Sequence, residues 1–170
     1  AILSLGDIVS SQSIRMAGDK MNSDIASYIK NKHGLVIGEH TAKKIKMELG
    51  TALRVDDPET MDVRGRDVAT GMPKQITVNE NEIEEALHDT LEQIVSAAVN
   101  VLETIPPELA SDIIDRGIML TGGTSLLKGV DQLFSARLKV PVVVSQDPLD
   151  NVAKGAGEML ERMQKTERKK

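Results

Sequence analysis

The stretch Ile118-Met119-Leu120-Thr121-Gly122-Gly123-Thr124-Ser125-Leu126-Leu127 decides how the rest of the chain is read. Its apolar start predicts a buried strand, two glycines end that strand, and Thr124-Ser125 is placed to cap a helix running from Ser125 to Leu138. In that arrangement backbone N–H groups and the positive end of the helix face the crevice at the carboxyl edge of a sheet, and glycine lets a ligand approach the main chain. A plain strand-to-helix turn accounts for the spacing equally well, since the segment is neither a Walker A loop nor a dinucleotide fingerprint.

Outward from this turn, a short helix from Pro107 to Asp115 and a strand Gly117–Leu120 precede it, and a strand Val140–Ser145 and a helix Leu149–Met163 follow. Strand, helix, strand, helix in that order predicts a parallel α/β unit. Upstream, Ile83, Leu87, Leu91, Ile94, Ala98, Val101 and Ile105 recur at helical spacing between a cap at Asn79 and Pro106-Pro107. About three heptads are thin support for a coiled coil, so this segment is read as a core-facing helix. Met61–Val68 and Gln75–Val78 predict a hairpin through 69–74, and 51–60 reads as a loop. Met21, Ile25, Tyr28 and Ile29 predict a helix Met21–Lys32 with Gly34 as its left-handed cap, and Thr41 is the expected N-cap of a helix through Leu49, closed by Gly50. Ala1–Leu5 and Ile8–Met16 read as a hairpin about Gly6-Asp7. The domain reading is a large α/β subdomain from 1–34 and 80–163, a small insertion at 35–79, and a basic tail at 164–170.

The 170 residues carry 21 basic and 26 acidic side chains, a formal charge of −5, no cysteine, and two aromatics, Tyr28 and Phe134. That length can bury a sizeable core. The negative charge and scarcity of aromatics count against nucleic acid. Without cysteine there are no disulfides or thiolate metal sites, and His33, His40 and His88 show no metal-ligand spacing. No apolar run reaches the roughly 20 residues of a membrane span, and the N-terminus lacks the basic flank of a signal peptide. The acids along the long helix, among them Glu84, Glu85 and Glu92, read as a solvated face. The tail's four positive charges could favour an anionic leaflet, but a solubilising terminus is the preferred reading.

Several segments taken together carry a resemblance. They are Ala17-Gly18-Asp19; Ile37-Gly38-Glu39-His40-Thr41-Ala42-Lys43-Lys44-Ile45-Lys46; Val63-Arg64-Gly65-Arg66-Asp67; Pro106 through Gly117; Leu120-Thr121-Gly122-Gly123; and Asp147-Pro148-Leu149 with Val152-Ala153-Lys154-Gly155-Ala156-Gly157. In order and spacing this set resembles the second half of the MreB family of bacterial actin-like cell-shape proteins, over nearly the whole chain. The resemblance implies an α/β actin/Hsp70-like ATPase lobe, with a ribonuclease H-like α/β subdomain and a smaller α+β insertion subdomain. It implies ATP or ADP as cofactor, with Mg²⁺ held mainly by the other half, and adenosine lying between the glycine turn and a helix of the insertion. Carried over by position, the binding residues are Gly18, Asp19, Lys43, Lys44, Ile45, Lys46, Gly122, Gly123, Thr124, Ser125 and Leu126. Lys43 and Lys46 lie three apart and share one helix face, which by itself is also the pattern of a solvated basic face.

The chain departs from the family at Lys43, usually a glutamate that accepts hydrogen bonds where lysine only donates. Thr124 replaces a third glycine, and Lys20 and Asn22 replace residues that are more often acidic. In the family the phosphate loops and the water-positioning glutamate lie outside this segment, so the 170-residue chain is expected to have no catalytic residues and no ATP hydrolysis of its own. The start at Ala1 reads as a strand already under way, and the chain as one half of a two-lobed protein.

The implied partners are further copies of the protein in a head-to-tail filament and a RodZ-like membrane adaptor on the large subdomain. Neither nucleic acid binding nor direct membrane insertion by this half is expected. The implied setting is cytoplasmic, with filaments at the inner face of the cell membrane. Half of a sugar kinase or Hsp70-like ATPase, and an isolated interaction module, are the alternatives. Sugar kinases usually carry larger insertions and Hsp70 continues into a β domain, and neither feature follows Met163.

Overall fold

A computed structural model describes residues 1–167. In chain order the elements are β1 (Ile2–Ser4), β2 (Asp7–Ser10), α1 (Gly18–His33), β3 (Leu35–Val36), α2 (Glu39–Leu49), β4 (Thr60–Asp67), β5 (Pro73–Asn79), α3 (Glu80–Glu103), α4 (Pro107–Arg116), β6 (Ile118–Leu120), a 3-10 turn (Gly123–Leu126), α5 (Val130–Leu138), β7 (Val142–Val144) and α6 (Asn151–Glu167).

The core forms around α1. Its stripe Met21, Ile25 and Ile29 is buried, as the four-residue spacing of a helix face requires. α1 packs against both α2 and α3, whose buried residues Ala42, Ile45 and Leu49 and Ile83, Leu87, Leu91 and Val95 join the same cluster. Thr90 Oγ1 on α3 donates to Asp24 Oδ2 on α1 at 2.6 Å, pairing a buried hydroxyl across the interface. Asn79 caps α3 by accepting from the Glu82 amide at 3.1 Å, while Glu82 Oε2 accepts from the Asn79 amide at 3.0 Å. This reciprocal pair satisfies two amides at the start of a 24-residue helix.

β3, β4 and β5 form an antiparallel sheet in that order, with Val63 opposite Ile76 and Met61 opposite Val78. Val63 and Val78 are buried while Asp62, Arg64 and Thr77 are exposed, the two-residue alternation of a half-buried sheet. β1 and β2 form a separate antiparallel pair, and β6 and β7 a parallel pair on which α5 packs. The parallel β6–β7 pairing is the α/β signature anticipated from the sequence.

The differences from the sequence reading are local and have physical causes. The N-terminal turn is Leu5-Gly6, both at positive φ (54° and 91°), rather than Gly6-Asp7, and β2 ends at Ser10. α1 starts at Gly18, and α2 starts at Glu39 with Gly38 at its cap, so Thr41 lies inside the first turn of α2 instead of capping it. The two-residue β3 was not anticipated, because it is too short to show a period. The largest correction concerns 125–129: no helix starts at Ser125. Gly123–Leu126 is a single 3-10 turn, Leu127 is extended (φ −62°, ψ 135°), Lys128 bridges Thr51, and left-handed Gly129 (φ 72°) precedes α5. Pairing of Lys128 with the end of α2 pulls the chain out of the helical path. α6 runs to Glu167, so 164–167 of the expected basic tail are helical, and 168–170 lie outside the described residues. Val152, Met159, Leu160 and Met163 on α6 are exposed, so this helix does not bury an apolar stripe against the β6–β7 sheet.

Gly50 closes α2 where two segments nearly touch: its amide donates to Lys46 O at 3.0 Å. A Cβ there would strike that carbonyl oxygen and come within 2.6 Å of Leu127 Cδ2. Gly50→Ala is therefore expected to lower stability by about 1–3 kcal/mol through overpacking, read as a lower urea midpoint at unchanged slope. An unchanged midpoint would show that the segments can separate at little cost. Asn79→Ala removes the α3 cap and is expected to cost about 1 kcal/mol in the same assay.

Candidate functional site

The residues singled out on α2 divide by face. Ile45 is buried in the core, so its side chain anchors the helix and is unavailable to a ligand. Lys43 and Lys44 are exposed, and Lys44 Nζ lies 3.8 Å from Glu48 Oε1 one turn on. Lys46 is half-buried and donates from Nζ to the Gly18 carbonyl oxygen at 2.8 Å. A Cβ on Gly18 would sit 3.1 Å from that nitrogen, so glycine there gives the ammonium its room. Burial pushes the Lys46 ammonium pKa down; Asp19 opposes this by attraction, and Lys43 adds to it by repulsion. The fold thus brings Gly18, Asp19, Lys43 and Lys46 into one electrostatic group where α2 meets the start of α1. Asn22, one turn into α1, is 4% exposed and its Oδ1 has no hydrogen-bond partner.

The glycine turn is the second segment singled out from sequence. β6 leads into Gly122, whose amide donates to Pro148 O at 2.8 Å while Thr121 Oγ1 donates to the same oxygen at 3.1 Å. Gly122 lies at φ 85°, ψ 169°, a conformation almost exclusive to glycine. Ser125 is buried and its Oγ donates back to Gly122 O at 2.7 Å, so it braces the turn from inside. Gly123 and Leu126 are exposed and Thr124 half-buried, and a Cβ on Gly123 would meet only Leu149 Cδ2, at 3.4 Å. What this turn offers a ligand is open main chain. The positive helix end inferred from sequence is absent, since α5 starts only at Val130.

The chain just after the turn is tied to the end of α2 by contacts that no local sequence pattern announces. Lys128 donates its amide to Gly50 O at 3.1 Å and accepts from the Ala52 amide at 2.8 Å. Its Nζ donates to Glu80 Oε1 at 2.5 Å and to Glu59 Oε2 at 2.9 Å. Glu80 is 3% exposed, and its second oxygen accepts from the Glu59 amide at 3.0 Å. Burial alone would raise the Glu80 carboxyl pKa, but Lys128 and the Glu59 amide together hold it below the usual range.

A cavity of about 650 Å³ lies elsewhere, between the β1–β2 hairpin and β6, floored by Ile94, Ala98 and Val101 of α3 and Ile113 of α4. None of the site residues singled out from sequence lines it. Its lining is mostly apolar, with Asp112 and Arg116 contributing charge, which suits packed side chains better than a phosphorylated ligand.

The family model described as MreB/Mbl protein matches residues 1–168. The cell shape-determining protein Mbl of Bacillus subtilis (strain 168) is 51% identical over 170 residues, all of this chain and 51% of that protein. The cell shape-determining protein MreB of Escherichia coli (strain K12) is 47% identical over 161 residues, covering 95% of this chain and 46% of the relative. The chain therefore spans about half the length of the curated relatives it matches. Among solved structures, MreB5 of Spiroplasma citri bound to ADP superposes with a TM-score of 0.94 at 32% identity, over 98% of this chain and 51% of that one. The MamK double helical filament, at TM-score 0.67 and 17% identity over 83% of this chain and 43% of its own, shares the actin-like ATPase fold. With a family match along nearly its whole length and half-identical relatives, this chain belongs to the MreB/Mbl family.

Proposed function

We propose that this chain is the second lobe of an ATP-binding actin-like protein that polymerises head-to-tail and determines cell shape by organising wall synthesis. The observation that carries the reading is the pairing of two walls: Lys46 braced on Gly18 at 2.8 Å, and the open glycine turn at Gly122-Gly123, joined through Gly50, Leu127 and Lys128. The relatives named as cell shape-determining proteins and the ADP-bound MreB5 structure support it.

On this reading adenosine lies between the walls. Lys46 and Lys43 face its ribose or base from α2, while Gly122, Gly123, Thr124 and Leu126 present main chain from the turn. Asp19 balances the lysine charge, Ser125 and Ile45 hold the walls in place, and Lys44 stays in solvent, paired along α2 with Glu48. Lys43 donates where a glutamate would accept, so this wall recognises acceptor atoms of the nucleotide. ADP or ATP brings the phosphates, and Mg²⁺ is held mainly by groups outside this chain. Residues 35–79 form the small subdomain and 1–34 with 80–163 the large one, on which a RodZ-like membrane adaptor docks. The filaments lie in the cytoplasm against the inner face of the membrane. Among the described residues no helix is long and apolar enough to cross a membrane.

The native gene product is expected to have an intact mass near twice 18.4 kDa, to sediment with ATP, and to leave sugars unphosphorylated. Sugar phosphorylation without sedimentation would overturn the polymer reading. The 170-residue chain alone is expected to release no phosphate from ATP. In the native product, Gly123→Val places a side chain over the turn where the fold leaves space, and is expected to weaken fluorescent ADP binding at least about tenfold, roughly 1.4 kcal/mol. Unchanged affinity in a folded variant would remove the turn from the site.

A further inference from the structure

Lys128 occupies a junction that its neighbours make hard to release. Its main chain is bonded to Gly50 and Ala52 at the end of α2, and its position in sequence is two residues after the glycine turn. Its side chain crosses to Glu80 at the first residue of α3 and to Glu59 beside β4, the two ends of the β4–β5 hairpin segment. Glu80 and Glu59 are also bonded main chain to main chain at 3.1 Å.

The two carboxylates are not equivalent. The Glu59 side chain is 68% exposed, so its ion pair is screened by solvent. The Glu80 side chain is 4% exposed, and losing its cation would leave a buried charge unpaired, which is costly out of proportion to one contact. Half of the Lys128 side chain is itself exposed. It can therefore be shortened or made apolar without opening a cavity, which separates its charge from any packing role.

We propose that Lys128 is a positioning residue that couples the glycine turn to the β3–β4–β5 sheet, so that nucleotide occupancy at the turn is transmitted to the inserted segment 35–79. The proposal rests on the nucleotide reading above. Lys128 reaches the ligand only through others: it sets where Gly122–Leu126 sits against α2, and it holds the hairpin ends to that same point. A shift of the turn then either carries Glu80 and Glu59 with it or breaks a buried pair, and the first course is the cheaper.

The test uses the full-length native protein, with fluorescent ADP titration and hydrogen exchange with and without ADP. In the wild type, ADP is expected to protect amides in 60–79 as well as 120–128. Lys128→Met is expected to weaken ADP binding about tenfold and to abolish the added protection in 60–79 while leaving some at the turn. Lys128→Arg should restore both, and Glu59→Gln should change affinity less than about threefold. If Lys128→Met does not fold, the pair Lys128→Met with Glu80→Leu, which leaves no unpaired buried charge, takes its place with the same expectation. Wild-type affinity together with undiminished protection of 60–79 in either variant overturns the proposal. A wild type that binds no ADP overturns the nucleotide reading and the proposal with it, a result distinct from binding without coupling.

Discussion

The burial of one face of α1 is the constraint on which the rest depends. Met21, Ile25 and Ile29 have no exposed surface, and each buried side chain of this size contributes on the order of 2 kcal/mol relative to water. The same face presses on α2 and α3 at once, so it fixes the angle at which α2 runs past the start of α1. That angle brings Lys46, 28 residues away in sequence, within 2.8 Å of the Gly18 oxygen. The candidate site is in this sense a by-product of the core: slackening the α1–α2 packing would move the lysine before it changed any polar contact.

Charge plays a different part on the surface and in the interior. Pairs such as Lys44–Glu48, with both side chains about half exposed, are screened and contribute little to stability. Glu80 is the exception, because its carboxylate has left water and must be paired and hydrogen-bonded where it sits. Apolar burial can be shared among many arrangements, whereas this pair tolerates very few. It supplies direction to a junction of α2, β4, α3 and the glycine turn that packing alone would leave less defined.

The sequence disclosed what is periodic and hid what is distant. The α3 stripe from Ile83 to Leu91 was legible because a 3.6-residue repeat needs only local information, and those residues are buried. Past that point Val95 takes the core position, while Ile94 and Ala98 pack against the core and also, with Val101, line the cavity, a sharing of partners that no periodicity records. The turn at Gly122-Gly123 was legible as a strand end. The missing helix at Ser125 was not, because the departure is imposed by Lys128 pairing with Thr51, 77 residues apart. Lys43 and Lys46 could be placed on one face from their spacing, but which of them is braced depended on where Gly18 lands. The Lys128–Glu80 link, 48 residues apart, left no local trace at all.

The exposed apolar residues are unevenly placed. Leu3, Leu5, Ile8, Met119, Val143, Val152, Met159, Leu160 and Met163 lie on the β1–β2 hairpin, the β6–β7 pair and α6, whereas α1, α2 and α3 add Met47 to the exposed large apolar side chains. Among the described residues β1 pairs only with β2 and β6 only with β7, so each pair keeps an edge with unused main-chain donors and acceptors. Those edges border the apolar cavity floored by α3 and α4. An unpaired edge beside an apolar floor is a costly surface for a stable domain to leave in water, since it invites strand addition. On the two-lobed reading proposed above, strands and apolar surface from outside this chain would cover these edges and α6 and so remove that cost.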